Sequence, residues 1–396
     1  MNVPKLRFKE FNDEWILKTL KESAEFIQGI NTAVDRLEYV KDGIKVLQAN
    51  NIVLGVLNND SLKYITDSEY ENIIEKYKPK FGDVLYSNIG ARMGYAVPFN
   101  IHEKVTFTWN VLRMIPNKDI NNIFLSAQLN SPQIRNKVLS NASTNTMPFI
   151  SGQDLKKIKL NFPSMTEQIK IGKTLELLDK KIELQSKKIE DLKLFKKGLL
   201  RKEFNNKKCS NKLKECFDFG KAGGTPKSTN KDYYNGYIPF LSISDMTTQG
   251  KYIYYTDKSI TEAGLNNSTA WLVPKNSIII SMYASYGLVS INKIDLATSQ
   301  AMFNMVINKN YVVEYIYYYL YYLYISSFYN SIVSTGTQSN LNAEQIKLLD
   351  IYIPCYKEQK RIHEQFSKID FKINLEQKKF NELLYLKKGL MQNMFV

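Results

Sequence analysis

The most regular hydrophobic pattern in the chain lies in residues 163–204. Apolar residues recur there at alternating steps of four and three, and the same spacing returns in residues 354–395. Such steps place the apolar side chains on one face of a helix as a heptad seam. Each run therefore predicts a single long helix, about 60 Å in length at roughly 1.5 Å per residue.

The two runs match each other without a gap. Adding 191 to a position in the first run gives its counterpart in the second, so Gln168 matches Gln359, and the tetrapeptide that begins at Lys196 returns at Lys387. A proline precedes each run, as suits a helix start. The chain is therefore an internal duplication. This recurrence makes a structural spacer a better interpretation than two ordinary core helices.

The predicted helix-pair seam has seven apolar positions in each copy. They are Ile171, Leu175, Leu178, Ile182, Ile189, Leu192 and Leu199, and then Ile362, Phe366, Ile369, Ile373, Phe380, Leu383 and Leu390. The residues expected to widen the stripe are Leu184, Phe195, Leu375 and Leu386. The polar seam positions are Gln185 with Glu376 and Lys196 with Lys387. Polar residues in a seam are typical of pairs that fix register or orientation at some cost in stability.

The segment before each long helix contains short β-type runs followed by a helix. The β-type runs cover residues 45–56, 82–99 and 105–115, and then 237–244, 276–291 and 297–307. Residues 91–94 occupy the place that residues 284–287 occupy in the second segment, as an exposed loop between two strands. Short helical patterns at 17–26 and 213–219 open the segments, and longer ones follow at 120–138 and 314–329. These segments predict mixed α/β domains.

The order of the chain is thus domain, helix, domain, helix. The predicted boundaries are 1–161 for the first variable domain, 162–205 for the central helix, 206–352 for the second variable domain and 353–396 for the last helix. We expect an α/β fold with a pseudo-two-fold internal repeat, in which the two helices pair as an antiparallel coiled coil and hold the domains apart.

Charge narrows the class of partner. The formal net charge is +15, which favours a polyanion. Nucleic acid is the first candidate and an anionic membrane surface is the competitor. Residues 156–208 hold 16 Lys and Arg against 7 Asp and Glu, so this helix either contacts phosphates or presents a solvated face. The tyrosine-rich residues 311–329 predict a buried helix, and we predict no transmembrane span.

The chain offers little for catalysis. It contains no GxGxxG sequence, no Walker A motif and no Asn-Pro-Pro-aromatic motif of adenine methylation. The two histidines lack neighbours suited to a metal or a nucleophile, and the three cysteines suit reduced thiols in the cytoplasm. Glycine-bearing loops at 28–32 and 221–226 are either phosphate cradles or simple turns. We expect no catalytic residues and no metal site.

The repeated region, with its Pro, Glu-Gln, Lys-Ile and KKGL elements, resembles the specificity subunit of type I restriction-modification systems over nearly the whole chain. This resemblance implies two target recognition domains, each of which reads one half of a bipartite, asymmetric DNA site. It implies that the paired helices set the gap and dock two modification (methyltransferase) subunits, which restriction (translocase and nuclease) subunits then join.

The same resemblance implies that the chemistry lies in the partners. Methyl transfer to adenine N6 would occur there, and S-adenosylmethionine, ATP and magnesium would bind there and not in this chain. Two alternatives remain open. A protein-only coiled-coil scaffold would make the positive charge incidental, and a freestanding DNA-modifying enzyme would need its own cofactor site.

Direct readout requires side chains on exposed loops that reach base edges. In the first domain the candidates are Gln48, Asn50, Asn51, Asn88 and Arg92. In the second domain they are Ser244, Asp245, Tyr283, Ser285, Tyr286 and Gln300. The alternative for Arg92 is a surface salt bridge, and for the others it is a turn or capping role. The helix near Tyr317 is either a stacking platform for bases or packed against the strands.

Overall fold

A computed structural model describes residues 3–53, 55–143, 148–205, 207–209, 211–283, 285–333 and 340–396. The chain forms two compact units. The first unit consists of Met1–Ser186 and Lys378–Val396, and the second consists of Lys187–Gln377. Each unit thus combines one variable segment with part of both long helices. The predicted boundaries of the four segments stay a prediction.

The two long helices lie where the heptad pattern predicts them. They span Met165–Phe204 and Tyr356–Asn393. A buried glutamine near each start explains the repeated Glu-Gln. The side-chain amide of Gln168 donates to the carbonyl of Pro163 (3.0 Å) and its Oε1 accepts from the N–H of Asn121 (2.9 Å). Gln359 bonds Pro354 (2.9 Å) and Val312 (3.0 Å) in the same way. Each glutamine therefore ties its helix to the variable segment before it.

The first unit is built around two sheets. The four-stranded sheet is antiparallel and has the order Ala24–Gln28, Val111–Pro116, Asp83–Ser87 and Ala96–Phe99. The three-stranded sheet has the order Lys63–Ile65, Ile44–Leu47 and Val105–Phe107. Two further strand pairs are Ile16–Thr19 with Lys159–Phe162 and Ile52–Val53 with Val56–Leu57. The shorter α-helices are Leu20–Ser23, Asp67–Asn72, Asn122–Leu129, Pro132–Ser140 and Gly152–Lys156.

The second unit repeats this plan. Its five-stranded sheet has the order Phe217–Ala222, Met302–Ile307, Ile278–Ser281, Val289–Asn292 and Tyr252–Ile253. Its three-stranded sheet has the order Lys258–Ile260, Tyr234–Leu241 and Ala297–Thr298. Asn211–Lys212 pairs with Asp350–Ile351. The shorter α-helices are Ile243–Gln249, Glu262–Asn266, Val313–Ile325 and Ala343–Lys347.

The mixed α/β fold with short strands is confirmed, but two predicted helices differ from the structure. The opening helical patterns shrink to single turns, Leu20–Ser23 and Leu213–Cys216, next to strands. The predicted helix at 120–138 is two helices, because Pro132 has no N–H to continue the first and Ser131 caps the second through the N–H of Ile134.

The ends of the long helices belong to the hydrophobic cores. In the first unit Ile171 and Leu175 pack in one cluster with Phe124 and Phe395. In the second unit Ile362 and Phe366 are the corresponding residues of the second long helix. There they pack in a cluster with Phe204, Tyr315 and Tyr318. A helix end that is buried in this way cannot turn or slide independently of its domain.

All fourteen predicted seam residues are buried or half-buried. The expectation that Leu184, Phe195, Leu375 and Leu386 widen the buried stripe is wrong, because these side chains are 59%, 57%, 43% and 52% exposed. Leu184 lies two residues after the seam residue Ile182. At about 100° per residue it therefore faces away from the seam.

The two lysines of the seam, Lys196 and Lys387, form equivalent ion pairs with an aspartate. Lys387 pairs with Asp179 in the first unit. In the second unit Lys196 pairs with Asp370, at 2.5 Å between Nζ and Oδ1. Each residue of one pair lies 191 positions from its counterpart in the other. The lysines that are conspicuous in an apolar seam therefore each meet an aspartate of the other helix.

Three ion pairs show the direction of the helices in the second unit. Along the first long helix Lys188, Lys196 and Glu203 follow in that order. Their partners on the second long helix come in the reverse order, which is Glu376, Asp370 and Arg361. The two helix segments are therefore antiparallel.

Asp370 has further partners that Asp179 is not seen to share. The hydroxyl of Tyr318 donates to its Oδ2 (2.6 Å), and the ammonium of Lys251 lies 3.7 Å from the same oxygen. Lys251 also donates to the Tyr318 hydroxyl (2.7 Å), and burial lowers the pKa of Lys251 to about 8. Asp370 thus holds the second variable segment against its helix as well as joining the two helices.

The aspartates at these matched positions differ in their expected contribution to stability. Asp370→Asn removes the carboxylate that lies against both Lys196 and Lys251, so we expect a loss of about 2–3 kcal/mol in the free energy of unfolding. Asp179→Asn is the matched control, and we expect about 1 kcal/mol or less because that pair is more exposed. Urea denaturation followed by circular dichroism measures both. Equal losses would contradict the anchoring role of Asp370.

Candidate nucleic-acid interface

A loop between two neighbouring strands is closed by an equivalent backbone hydrogen bond in both units, although the loop of the second unit is one residue shorter. In the first unit the N–H of Gly94 donates to the carbonyl of Ser87 (2.8 Å), and in the second Gly287 donates to Ser281 (2.9 Å). Both glycines have a positive φ, 95° and 83°, which glycine adopts without strain. The predicted match between residues 91–94 and 284–287 is therefore confirmed, except for residue 284, which lies outside the described residues.

A turn that connects the three-stranded sheet to the larger sheet supports this loop in both units. In the first unit the N–H of Asn88 donates to the carbonyl of Asn110 (3.4 Å). In the second unit Met282 donates to Ala301 (2.8 Å), and Ala301 lies 191 positions after Asn110. The two units thus present their loops on equivalent supports, whatever side chains the loops carry.

Arg92 lies on this loop in the first unit and is exposed. Its Nη1 donates to the backbone carbonyl of Asn50 (2.8 Å), and Asn50 is itself exposed. The alternative predicted for Arg92 is a surface salt bridge. This bond is not a salt bridge, because its acceptor is a neutral carbonyl. A guanidinium has five N–H donors. One bond to the backbone therefore orients the group and still allows bidentate contact with a ligand.

Asn51 and Asp245 are buried and close equivalent turns, so the expectation that they lie on exposed loops is wrong. Asn51 accepts from the backbone N–H of Gln48 (2.9 Å). Asp245 accepts from the backbone N–H (2.8 Å) and the hydroxyl (2.6 Å) of Ser242. Both are capping boxes, in which a side chain satisfies backbone groups at a helix start. The alternative of a capping role is confirmed for both residues.

Asn88 is also fully buried, which corrects its expected place on the exposed loop. Its side-chain amide donates to the carbonyl of Ile150 (3.4 Å). Gln48 is half-buried in the turn that Asn51 closes. These two residues therefore support the loops and do not stand at their tips.

In the second unit the exposed candidates are Ser244, Tyr283, Ser285 and Gln300. Gln300 accepts a hydrogen bond from the hydroxyl of Thr225. Tyr286 is half-buried and its hydroxyl donates to Asn330 (2.9 Å). The structure brings Gln300 and Tyr283 to one region, because the carbonyl of Ala301 accepts from the N–H of Met282.

The glycine-bearing loops are tight crossings and not phosphate cradles. The N–H of Gly29 donates to the carbonyl of Val111 (3.1 Å). Gly224 donates to Thr298 (2.9 Å). A Cβ on either glycine would lie 2.2 Å from a backbone or side-chain oxygen. These N–H groups are used within the fold, so they have no donor to offer a phosphate.

The tyrosine-rich helix is packed and not a stacking platform. Tyr315, Tyr317 and Tyr318 are 0%, 3% and 0% exposed. Burial raises the pKa of all three hydroxyls. No helix in the described part of the chain is long and apolar enough to cross a membrane.

The described residues contain no cluster of three or more His, Cys, Asp or Glu side chains that could bind a metal ion. His102 stacks on Phe81, with ring centroids 4.9 Å apart. His363 lies 3.1 Å from the hydroxyl of Ser367, and burial lowers its pKa. The cysteines Cys209, Cys216 and Cys355 are free thiols.

Two residues at the turn before the strand Val111–Pro116 were missed by the sequence analysis. Asn110 accepts from the N–H of Ala49 (3.3 Å) and the hydroxyl of Thr108 (2.8 Å), so it joins the turn to the neighbourhood of Asn50. Trp109 is 44% exposed at the same turn. The available signal was the offset of 191, which places Trp109 opposite the candidate Gln300.

Comparison with known proteins gives a consistent result. The model of the type I restriction modification DNA specificity domain matches the chain twice, at residues 12–194 and 207–385. Each match contains one variable segment and most of the long helix that follows it.

Two curated relatives come from Methanocaldococcus jannaschii. The putative type I restriction enzyme MjaX specificity subunit is 24% identical over 424 residues, which covers 98% of this chain and 95% of that relative. The type I restriction enzyme MjaIX specificity subunit is 30% identical over 176 residues. This second alignment covers 43% of the chain and spans only 40% of the length of that relative.

Two solved structures share the fold. The S subunit of a type I restriction-modification system from M. genitalium superposes with a TM-score of 0.61 at 17% identity, over 100% of this chain and 99% of that one. A chain from a study of complex assembly and conformational transition of the type I R-M system also gives 0.61, at 16% identity, over 95% and 96% of the two chains.

The capping role of Asp245 is open to a direct test. Asp245→Ala removes an acceptor that serves three donors, including the N–H of Asp257 (3.2 Å). We expect a loss of about 2 kcal/mol in the free energy of unfolding. Ser244→Ala is the neighbouring control on an exposed position and should change it by less than about 0.5 kcal/mol. Thermal unfolding compares the two, and a similar result for both would contradict the capping role.

Proposed function

This chain belongs to the type I restriction-modification DNA specificity family, and on that premise we propose that each of its units reads one half of a bipartite, asymmetric DNA site. The observation that carries the proposal is the repeated frame. Equivalent backbone hydrogen bonds hold the corresponding loops in both units, while the exposed side chains at matched positions differ, with Arg92 and Asn50 in one and Ser285 and Ser244 in the other. Two units that share a backbone support but differ in their exposed side chains are suited to two half-sites of different sequence.

Arg92 is the strongest candidate for base readout in the first unit. A planar guanidinium forms two parallel hydrogen bonds with guanine O6 and N7 in the major groove. Its bond to the carbonyl of Asn50 fixes its direction before DNA arrives. The net charge of +15 supplies attraction to phosphates, which positions the protein without selecting a sequence.

We propose that the paired long helices set the gap between the half-sites. Both helices contribute residues to both units. The Asp-Lys pairs and the buried seam fix the register of the helix segments within each unit. A fixed register makes the number of residues in the helices a measure of length.

The exposed apolar residues of the long helices support docking of two modification subunits. In the first unit they include Leu184, Tyr385 and Leu386. In the second unit they include Leu375, Leu194 and Phe195. The two sets are related by the offset of 191, so the chain offers the same kind of surface twice. Exposed apolar patches of this kind suit protein partners, and restriction subunits would join that complex.

The chemistry would belong to these partners. The sequence holds no GxGxxG sequence, no Walker A motif and no Asn-Pro-Pro-aromatic motif. S-adenosylmethionine, ATP and magnesium would therefore act in the modification and restriction subunits, and the complex would work in the cytoplasm. A protein-only scaffold would not require different exposed polar residues on two equivalent frames, and this observation disfavours it.

The first test is the map of methylated adenines in cells that carry this chain with its cognate modification subunit. We expect a two-part asymmetric motif with a fixed gap, methylated on both strands, because two different units read the site. Single-molecule sequencing measures it.

Two controls accompany this experiment. Cells that carry only the modification subunit should lack the motif. Cells that carry only this chain should also lack it, and methylation there would support a freestanding enzyme instead. Absence of any motif with both subunits present would contradict the proposed function.

Arg92 tests the mode of reading. If it reads a guanine, Arg92→Ala should reduce discrimination between the correct site and a single-base variant by about 1–3 kcal/mol in binding free energy. Arg92→Lys should fail similarly, because an ammonium lacks the bidentate fork. Fluorescence anisotropy with the intact methyltransferase complex measures both. Unchanged discrimination with a smaller salt dependence would instead make Arg92 a phosphate contact.

A further inference from the structure

The turn between the strands Val105–Phe107 and Val111–Pro116 carries an exposed tryptophan on a rigid backbone. The N–H of Trp109 donates to the carbonyl of Ile30 (2.8 Å), and its own carbonyl accepts from the side chain of Gln28. The N–H of Val111 closes the turn on the carbonyl of Thr108 (2.9 Å). The backbone at Trp109 is therefore held on both sides, while 44% of the residue is exposed.

Hydrogen bonds connect this turn to Arg92. Asn110, the next residue, accepts from the N–H of Ala49 (3.3 Å), and the carbonyl of Asn50 accepts from Arg92 (2.8 Å). Trp109, Asn50 and Arg92 thus stand on one hydrogen-bonded frame. The exposed part of the Trp109 ring therefore lies beside exposed polar groups that a nucleic acid could contact together with it.

The equivalent turn of the second unit carries a different side chain. Met302 donates to the carbonyl of Ser299 (3.2 Å), which repeats the bond from Val111 to Thr108 at the offset of 191. Gln300 therefore occupies the place of Trp109 and is exposed. The backbone at this position is shared, and the exposed chemistry is apolar in one unit and an amide in the other.

We propose that Trp109 and Gln300 are specificity-determining residues at one equivalent position, and that Trp109 contacts the C5-methyl group of a thymine in the major groove. This inference rests on the proposed function. In duplex DNA the flat faces of the bases are stacked, so a side chain meets only their edges. The thymine methyl is the apolar group on those edges, whereas an amide such as Gln300 pairs with adenine N6 and N7.

The inference is tested by removing only that methyl group. The methylation map of the wild-type complex first identifies the sequence motif. A series of duplexes with this motif is then prepared, and in each duplex one thymine is replaced by uracil. Binding of the intact methyltransferase complex is measured for wild type and for Trp109→Ala. At one thymine of one half-site, wild type should bind the uracil duplex about four-fold more weakly, as expected for one buried methyl. Trp109→Ala should bind the two duplexes equally.

Two further variants serve as controls. Gln300→Ala should keep the full four-fold response at that thymine and lose discrimination in the other half-site. Trp109→Phe keeps an aromatic ring and should retain part of the response, which guards against a folding defect in Trp109→Ala. Thermal unfolding of each variant provides the independent check of folding.

Three results would overturn the inference while leaving the proposed function intact. They are a two-part motif with no thymine on either strand of the relevant half-site, a wild-type complex indifferent to every uracil, and a Trp109→Ala complex that keeps the wild-type response. Absence of a two-part motif for the wild-type complex would instead contradict the proposed function itself.

Discussion

The ion pair between an aspartate of one long helix and a lysine of the other is the contact on which the rest of the structure depends. A heptad seam of Ile, Leu and Phe provides burial but specifies register weakly, because one apolar step resembles the next. A charged pair within that seam is satisfied in one register only. It occurs as Asp179 with Lys387 and as Asp370 with Lys196. Each unit therefore holds its two helix segments in the same way.

The variable segments are coupled to these helices by buried polar contacts. Gln168 and Gln359 bond both the start of their own helix and the segment before it. In the second unit Tyr318 and Lys251 add contacts to Asp370. A buried polar group that is left without its partner costs more than an apolar contact of similar size. These few contacts consequently define the orientation of each domain on its helices.

The two units share backbone hydrogen bonds that hold the loops, and they differ in the side chains that these loops expose. The bonds from Gly94 to Ser87 and from Gly287 to Ser281 involve backbone atoms, so they tolerate any side chain that points to solvent. If these loops read DNA as proposed, selection for a new half-site can act on positions such as Arg92, Trp109 or Gln300 without disturbing the fold. This separation of support from readout is the physical basis for a protein that recognises two sequences with one architecture.

Patterns along the chain were enough to predict the duplication, the two long helices, the mixed α/β class and the placement of Arg92 on an exposed loop. They were enough because heptad spacing and an exact repeat are properties of order along the chain. Prediction from the sequence failed where a polar side chain could serve either of two roles. Asn51 and Asp245 are polar residues at a turn, and nothing local distinguishes a side chain that reads DNA from one that caps a helix start.

For such polar residues, the contacts of the folded chain distinguish a role in the interior from exposure to a ligand. The buried side chain of Asn88 depends on a segment distant in sequence, because its amide donates to the carbonyl of Ile150. The sequence supplies the chemistry of each side chain, whereas long-range packing determines whether that chemistry serves the interior or a ligand.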